Sequence, residues 1–186
     1  MLSQNKIKTL IHSKIHPAFK LETVFHPSKN SKNLYFLRED LIHPSIPGSK
    51  VRKLASIFQH IKENGIERIH AGGSFYSNNL IAISYFSKDL NIPATLYVKE
   101  SHQKELKGNA RKLIHRKTEK SDLKIISKSE WPNVNDIMHE SASKKDLVIP
   151  EGAFMKEAVP GLFTLGMDLI QFCQDRSIEN LFLDAG

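Results

Sequence analysis

Residues 68–98 read RIHAGGSFYSNNLIAISYFSKDLNIPATLYV, and this stretch sets the fold class. Arg68-Ile69-His70-Ala71 is a short strand candidate that stops at Gly72-Gly73. Residues 78–90 then place Ile81, Ala82, Tyr85 and Phe86 on one side of a helix. Pro93 punctuates the chain, and Ala94-Thr95-Leu96-Tyr97-Val98 returns to a strand pattern. Strand, helix and strand in this order make a βαβ unit, which requires parallel strands and a right-handed crossover.

The same alternation continues on both sides. Upstream, residues 51–63 carry Leu54, Ile57, Phe58 and Ile61 at helical spacing, and Asn64-Gly65 supplies a C-terminal stop. Leu34-Tyr35-Phe36-Leu37-Arg38 reads as a further short strand. Downstream, residues 108–114, 134–143 and 162–175 read as helices. Residues 123–126, 147–149 and 180–183 read as strands, the second stopped by Pro150. The expected fold class is therefore α/β, with open, mostly parallel sheets and flanking helices. No repeat or low-complexity segment interrupts it, and residues 99–119 form a polar excursion.

Composition bounds the partners. The chain has 186 residues, 40% of them apolar and 25% charged, as in ordinary globular proteins. No apolar run approaches the ~20 residues needed to span a bilayer, and residues 1–20 lack the apolar core of a secretory signal. The single cysteine, Cys173, excludes an internal disulfide framework and lies in an apolar helical stretch, as a buried structural thiol would. These features lead us to expect a cytoplasmic protein with no membrane partner. The net charge of +7 raises the question of nucleic acid. However, the densest basic stretch, residues 104–128, also holds Glu105, Glu119 and Asp122 and has no aromatic residue for base stacking. We read it as a solvated face, with no nucleic-acid partner.

In open α/β sheets, ligands collect beyond the C-terminal ends of strands. Three glycine turns follow strand candidates here, at Gly72-Gly73, Gly152 and Gly186. Lys50 follows a Pro47-Gly48-Ser49 turn and opens a helix, where the dipole and free N–H groups disfavour its charge. A lysine so placed can lose its proton and act as a nucleophile, although most lysines at helix starts are solvated side chains. Ser77, Asn78 and Asn79 open the helix after Gly72-Gly73. They read equally well as helix caps or as a polar cluster aimed at an anionic or ring-bearing ligand.

Taken in order, these segments resemble one enzyme family. Arg38-Glu39-Asp40-Leu41 followed by Gly48-Ser49-Lys50-Val51-Arg52-Lys53-Leu54 looks like the cofactor-lysine motif of the pyridoxal-phosphate-dependent aminocyclopropane-carboxylate deaminase and D-cysteine desulfhydrase family. Gly72-Gly73 with Ser77-Asn78-Asn79, then Pro150-Glu151-Gly152-Ala153, resemble its next two motifs. Gly161 and Gly166 match the glycine-rich start of the following helix, and Leu183-Asp184-Ala185-Gly186 looks like the lead-in to its phosphate loop. The departures are Ser49 where Asn is frequent, a Ser74-Phe75-Tyr76 turn one residue longer than in many members, and Asn79 in place of a frequent His.

The resemblance implies the tryptophan-synthase-β-like type II fold with pyridoxal 5'-phosphate as cofactor. Residues 1–50 would begin the larger cofactor domain, 51–149 would form the smaller open α/β domain, and 150–186 would start the return into the larger one. Lys50 would hold the cofactor covalently and move protons to and from substrate carbons. Ser77 would assist deprotonation and hold the substrate carboxylate, Asn78 would bond the cofactor's 3′-oxygen, and Asn79 would add a substrate contact. The substrate would be a small amino acid, the reaction a lyase or deaminase step, and the assembly a homodimer. The chain stops at the tip of a strand candidate before the phosphate loop. We therefore expect a truncated, incomplete larger domain with impaired activity. The alternatives are a non-catalytic truncated or split-gene product and, last, a basic nucleic-acid binder.

Overall fold

The computed structural model describes residues 21–25, 34–43, 46, 48–101, 107–115 and 121–182. Its centre is a parallel sheet of β3 (Arg68–Ser74), β4 (Ala94–Lys99), β5 (Ser121–Ile126) and β6 (Asp146–Ile149), in the order β5-β4-β3-β6. A separate antiparallel pair, β1 (Leu21–Phe25) and β2 (Leu34–Leu37), precedes it, with a register shift between Thr23 and Phe25. Among the described residues five α-helices accompany the strands: α1 (Lys50–Glu63), α2 (Asn78–Asp89), α3 (Asn109–His115), α4 (Val134–Ser141) and α5 (Val159–Asp175).

The period-two pattern of the central strands decides which residues face which side of the sheet. In β3, Ile69 and Ala71 face the main core; in β4, Leu96 and Val98 do; in β6, Ile149 does. Helices α1 and α2 cover that face through Leu54, Ile57, Phe58, Leu80, Ile81 and Ile83. Tyr97 of β4 points the other way and packs with Ile126 and Met138, so α4 covers the opposite face. Sheets buried on both sides carry near-continuous apolar runs, as β4 does.

A largely buried polar trio joins β4, β3 and β6. His70 Nδ1 lies 3.0 Å from the Tyr97 hydroxyl, and His70 Nε2 lies 3.1 Å from Asp146 Oδ2. Burial alone pushes the Asp146 carboxyl up, but bonds from Ser143 and His70 outweigh it and hold the group below its ordinary range. The trio therefore spans β4, β3 and β6 and helps fix their neighbourhood.

A second polar group joins the elements around α1. Arg52 is buried, and its guanidinium forks onto Glu39 at 2.8 and 3.0 Å, with Asp168 at 3.3 Å and Thr164 at 3.5 Å. The two halves of the motif quoted from the sequence, around Glu39 and Lys50, thus meet through Arg52. The helix carrying Asp168 approaches α1 very closely. A Cβ added at Gly161 would lie 1.9 Å from the Arg52 carbonyl oxygen.

Several sequence expectations change. Helix α5 begins at Val159, earlier than periodicity placed it, because Pro160 is well tolerated in a first turn. Cys173 is half-buried rather than buried. The expected last strand does not form over its described part: residues 180–182 are irregular, with Phe182 86% exposed. A strand needs a neighbour to pair with, and none lies beside this segment among the described residues. Residues 183–186, which carry the lead-in to the phosphate loop, fall outside the described residues, as do Pro47 and parts of the polar excursion.

The two glycines of α5 give a direct check on this packing. Gly161→Ala must push α5 off the α1 backbone and should cost more than about 2 kcal/mol. Gly166 has nothing within 4 Å of an added Cβ, so Gly166→Ala should stabilise by about 0.5–1 kcal/mol through helix propensity. Denaturant unfolding of both variants measures this; equal effects of the two would contradict the close crossing.

Candidate functional site

Strands β3, β4 and β5 run outward in chain order, and β6 then returns to the other side of β3. The winding therefore reverses between β3 and β6. The crevice beyond the C-terminal ends of those two strands is where an open α/β sheet takes its ligand. Gly72 and Gly73 lie in the last residues of β3, which runs on to Ser74 rather than stopping before them because both pair with β4, and the Pro150-Glu151-Gly152-Ala153 segment follows the end of β6.

Two helix starts border the same edge. Helix α1 leads into β3 through a short connection and packs against the sheet, so its first residue, Lys50, lies towards the C-terminal edge. Helix α2 starts at that edge after β3. Val51, Leu80 and Ala153, from the start of α1, the start of α2 and the turn after β6, share one core. Lys50 and residues 77–79 are thus on the same end of the domain, although they come from different βα units.

Lys50 is half-buried. Burial, aided by the Lys53 ammonium one turn along α1, holds its amine below the ordinary lysine value of 10.5. Ser49 makes no side-chain cap bond to α1, so no capping hydroxyl offsets the helix dipole beside Lys50.

The turn after β3 is built tightly. A Cβ at Gly73 would meet Ser77 Oγ at 2.9 Å and Leu80 Cγ at 3.0 Å, so only glycine lets the chain fold back this closely. The Ser77 N–H donates to the Ser74 carbonyl at 3.0 Å. Phe75 is buried in the core, which absorbs the additional turn residue. Ser77 caps α2: its Oγ accepts from the Leu80 N–H at 3.2 Å. Asn78, exposed, accepts at Oδ1 from Asn109 Nδ2 at 2.7 Å.

Asn79 is the exceptional residue. It is 3% exposed, yet neither Nδ2 nor Oδ1 has a hydrogen-bond partner. Among the described residues it holds the only buried side-chain nitrogen and oxygen atoms without one. Such groups normally cost about 1–3 kcal/mol each, so native structures seldom keep them without a use.

No protein-family model matches the chain. A Thermotoga maritima protein named "Putative 1-aminocyclopropane-1-carboxylate deaminase" is 25% identical over 143 residues, covering 74% of this chain and 45% of that protein. A crystal structure of an ACC deaminase homologue superposes with a TM-score of 0.60 at 21% identity, over 89% of this chain and 53% of its own. A pyridoxal 5'-phosphate-dependent aspartate racemase superposes with a TM-score of 0.65 at 15% identity, over 92% of this chain and 50% of its own. The chain has the type II pyridoxal-phosphate enzyme fold. It spans about half the length of the curated relative and of these structures.

Within the type II fold, sequence reasoning had singled out Lys50, Ser77, Asn78 and Asn79. It missed Asn109 and treated Arg52 only as part of a motif. A buried, four-contact Arg52 has no sequence signal beyond its helical spacing from Lys50. Asn109 after Gly108 could have been read as a helix start with a side-chain amide to spare.

The lowered Lys50 pKa is directly testable. Labelling of Lys50 by an amine-reactive acylating reagent, read by peptide mass spectrometry, should show a pH midpoint below 10.5. In Lys53→Met the midpoint should rise but stay below that value, because burial is the larger cause. A midpoint at or above 10.5 for the wild type would contradict the buried amine.

Proposed function

We propose that this chain is part of a pyridoxal-phosphate-dependent lyase or deaminase acting on small amino acids, of the D-cysteine desulfhydrase or aminocyclopropane-carboxylate deaminase type. The observation that carries the reading is the buried, unpartnered amide of Asn79 at the start of α2. A ligand offering both an acceptor and a donor would satisfy it. The half-buried Lys50 amine at the same edge adds what an aldehyde cofactor needs. The fold supports the reading, since the solved structures that share it include a pyridoxal 5'-phosphate-dependent racemase.

When bound, the cofactor supplies an electron sink for the substrate carbon. The chain's own residues do the rest. Burial raises the neutral fraction of the Lys50 amine at physiological pH, which makes it a nucleophile towards the cofactor aldehyde and afterwards a proton carrier for substrate carbons. Ser77 Oγ already accepts the Leu80 N–H, so its O–H is the group left to donate, to a substrate carboxylate oxygen. Asn78 keeps its Nδ2 donor for the cofactor's 3′-oxygen. Asn79 pairs with the substrate carboxylate or its neighbours. Lys53 adds positive charge beside Lys50, which favours an anionic ligand. On this reading residues 51–149 are the smaller domain, the flanking segments belong to the larger one, and the working assembly is a homodimer in the cytoplasm.

The test is covalent trapping. The protein is incubated with pyridoxal 5'-phosphate, reduced with borohydride and mapped by mass spectrometry. Lys50 should carry the adduct well above its share among the lysines, and Lys50→Ala should abolish the excess. Adducts scattered over the exposed lysines, with Lys50→Ala unchanged, would overturn the proposal.

A further inference from the structure

Asn109 belongs to neither the motifs nor the roles assigned so far. It opens α3, which follows the next strand of the sheet, and packs that helix back onto α2. Its Nδ2 bonds two oxygens at once: the Tyr76 backbone carbonyl at 3.2 Å and Asn78 Oδ1 at 2.7 Å. The first of these bonds settles the orientation of both amides. A backbone carbonyl can only accept, so the Asn109 atom beside it must be the NH2 group. The Asn78 atom facing that same NH2 group must then be its carbonyl oxygen.

We propose that Asn109 is a positioning residue that fixes the polarity of the site, by engaging the Asn78 carbonyl and leaving the Asn78 NH2 group to face the ligand. The inference rests on the reading above, in which residues 77–79 meet the cofactor. Its consequence is chemical. The ligand atom opposite Asn78 must be an acceptor, such as a phenolate-type ring oxygen or a carboxylate oxygen, and a hydroxyl or amine acting as a donor there is rejected. Without Asn109, the Asn78 amide could turn over and present either face. The clamp also reaches across two βα units, so the polarity of the turn after β3 depends on the seating of α3. Ala110 and Leu113 hold that seating from the buried side.

Two measurements test this. The first needs no cofactor. Side-chain amide exchange followed by NMR on the unliganded protein should find the Asn109 NH2 group protected and the Asn78 NH2 group exchanging freely. The reverse pattern would overturn the proposal. The second is a pyridoxal 5'-phosphate titration read by Lys50 adduct yield and by the ratio of the bound cofactor's absorption bands. Asn109→Asp replaces the donor by an acceptor, while an acidic residue at a helix start leaves α3 well capped. It should turn the Asn78 NH2 group inward, weaken binding by about tenfold and shift the band ratio in the same direction as Asn78→Asp. Asn109→Asp in an Asn78→Ala background should cost nothing further. Wild-type binding by Asn109→Asp, or a loss that persists in the Asn78→Ala background, would overturn the role of Asn109. If Asn78→Ala alone binds as the wild type does while the Lys50 adduct persists, the cofactor reading survives and both asparagine roles fall. If no Lys50-dependent adduct forms at all, the underlying reading fails and this inference with it.

Discussion

The position of β3 between β4 and β6, parallel to both, is the constraint from which the rest of the structure follows. A right-handed crossover leaving β3 places α2 on one face, and the return through α4 to β6 must cover the other. Such a reversal is where open α/β sheets take their ligands. It also requires the middle of β3 to be buried on both sides, which explains why its residues from Ile69 to Ser74 are small or apolar apart from His70. His70 is admissible there because Tyr97 on one neighbour and Asp146 on the other satisfy both ring nitrogens.

The edge that carries the candidate residues is held from outside by α1 and α5. These helices cross so closely that Gly161 can have no side chain. Arg52, three positions inside the start of α1, draws Glu39 and Asp168 onto one guanidinium. A buried charge with four oxygen partners is costly to disrupt, so these bonds tie the start of α1, and with it Lys50, to its neighbours. The same packing leaves one side of α5 open: Val159, Phe163, Met167 and Ile170 are each about half exposed. Those positions follow helical spacing. The chain spans about half the length of the relatives it matches.

Much of this was legible in the sequence, for definite reasons. The change from period two to period 3.6 and back across residues 68–98 marks β3, α2 and β4, although β3 runs through Gly72 and Gly73 to Ser74 rather than stopping at them. Lys50 stands out in the sequence because it opens a helix after Gly48-Ser49, and Ser77, Asn78 and Asn79 because they open one after Gly72-Gly73. What was not legible depends on through-space neighbours. Periodicity says nothing about the order of strands within the sheet, so the switch between β3 and β6 could not be read. Asn79 looks like any other polar residue in a first turn until its burial and lack of partners are known. Residues 180–182 have a good strand composition, but composition cannot supply a pairing partner. Leu21–Phe25, which pairs with β2, was overlooked for the complementary reason: its partner compensates for a weak local pattern.

The central claim is that the crevice between the ends of β3 and β6 receives the ligand. Backbone amide shift mapping by NMR during addition of pyridoxal 5'-phosphate tests it most directly. The account predicts that the largest changes fall at residues 50–53, 72–79 and 150–153, and that the opposite edge of the sheet around Arg68 and Asp122 stays still. Changes concentrated at that opposite edge, or spread evenly over the lysine-rich surface, would contradict it.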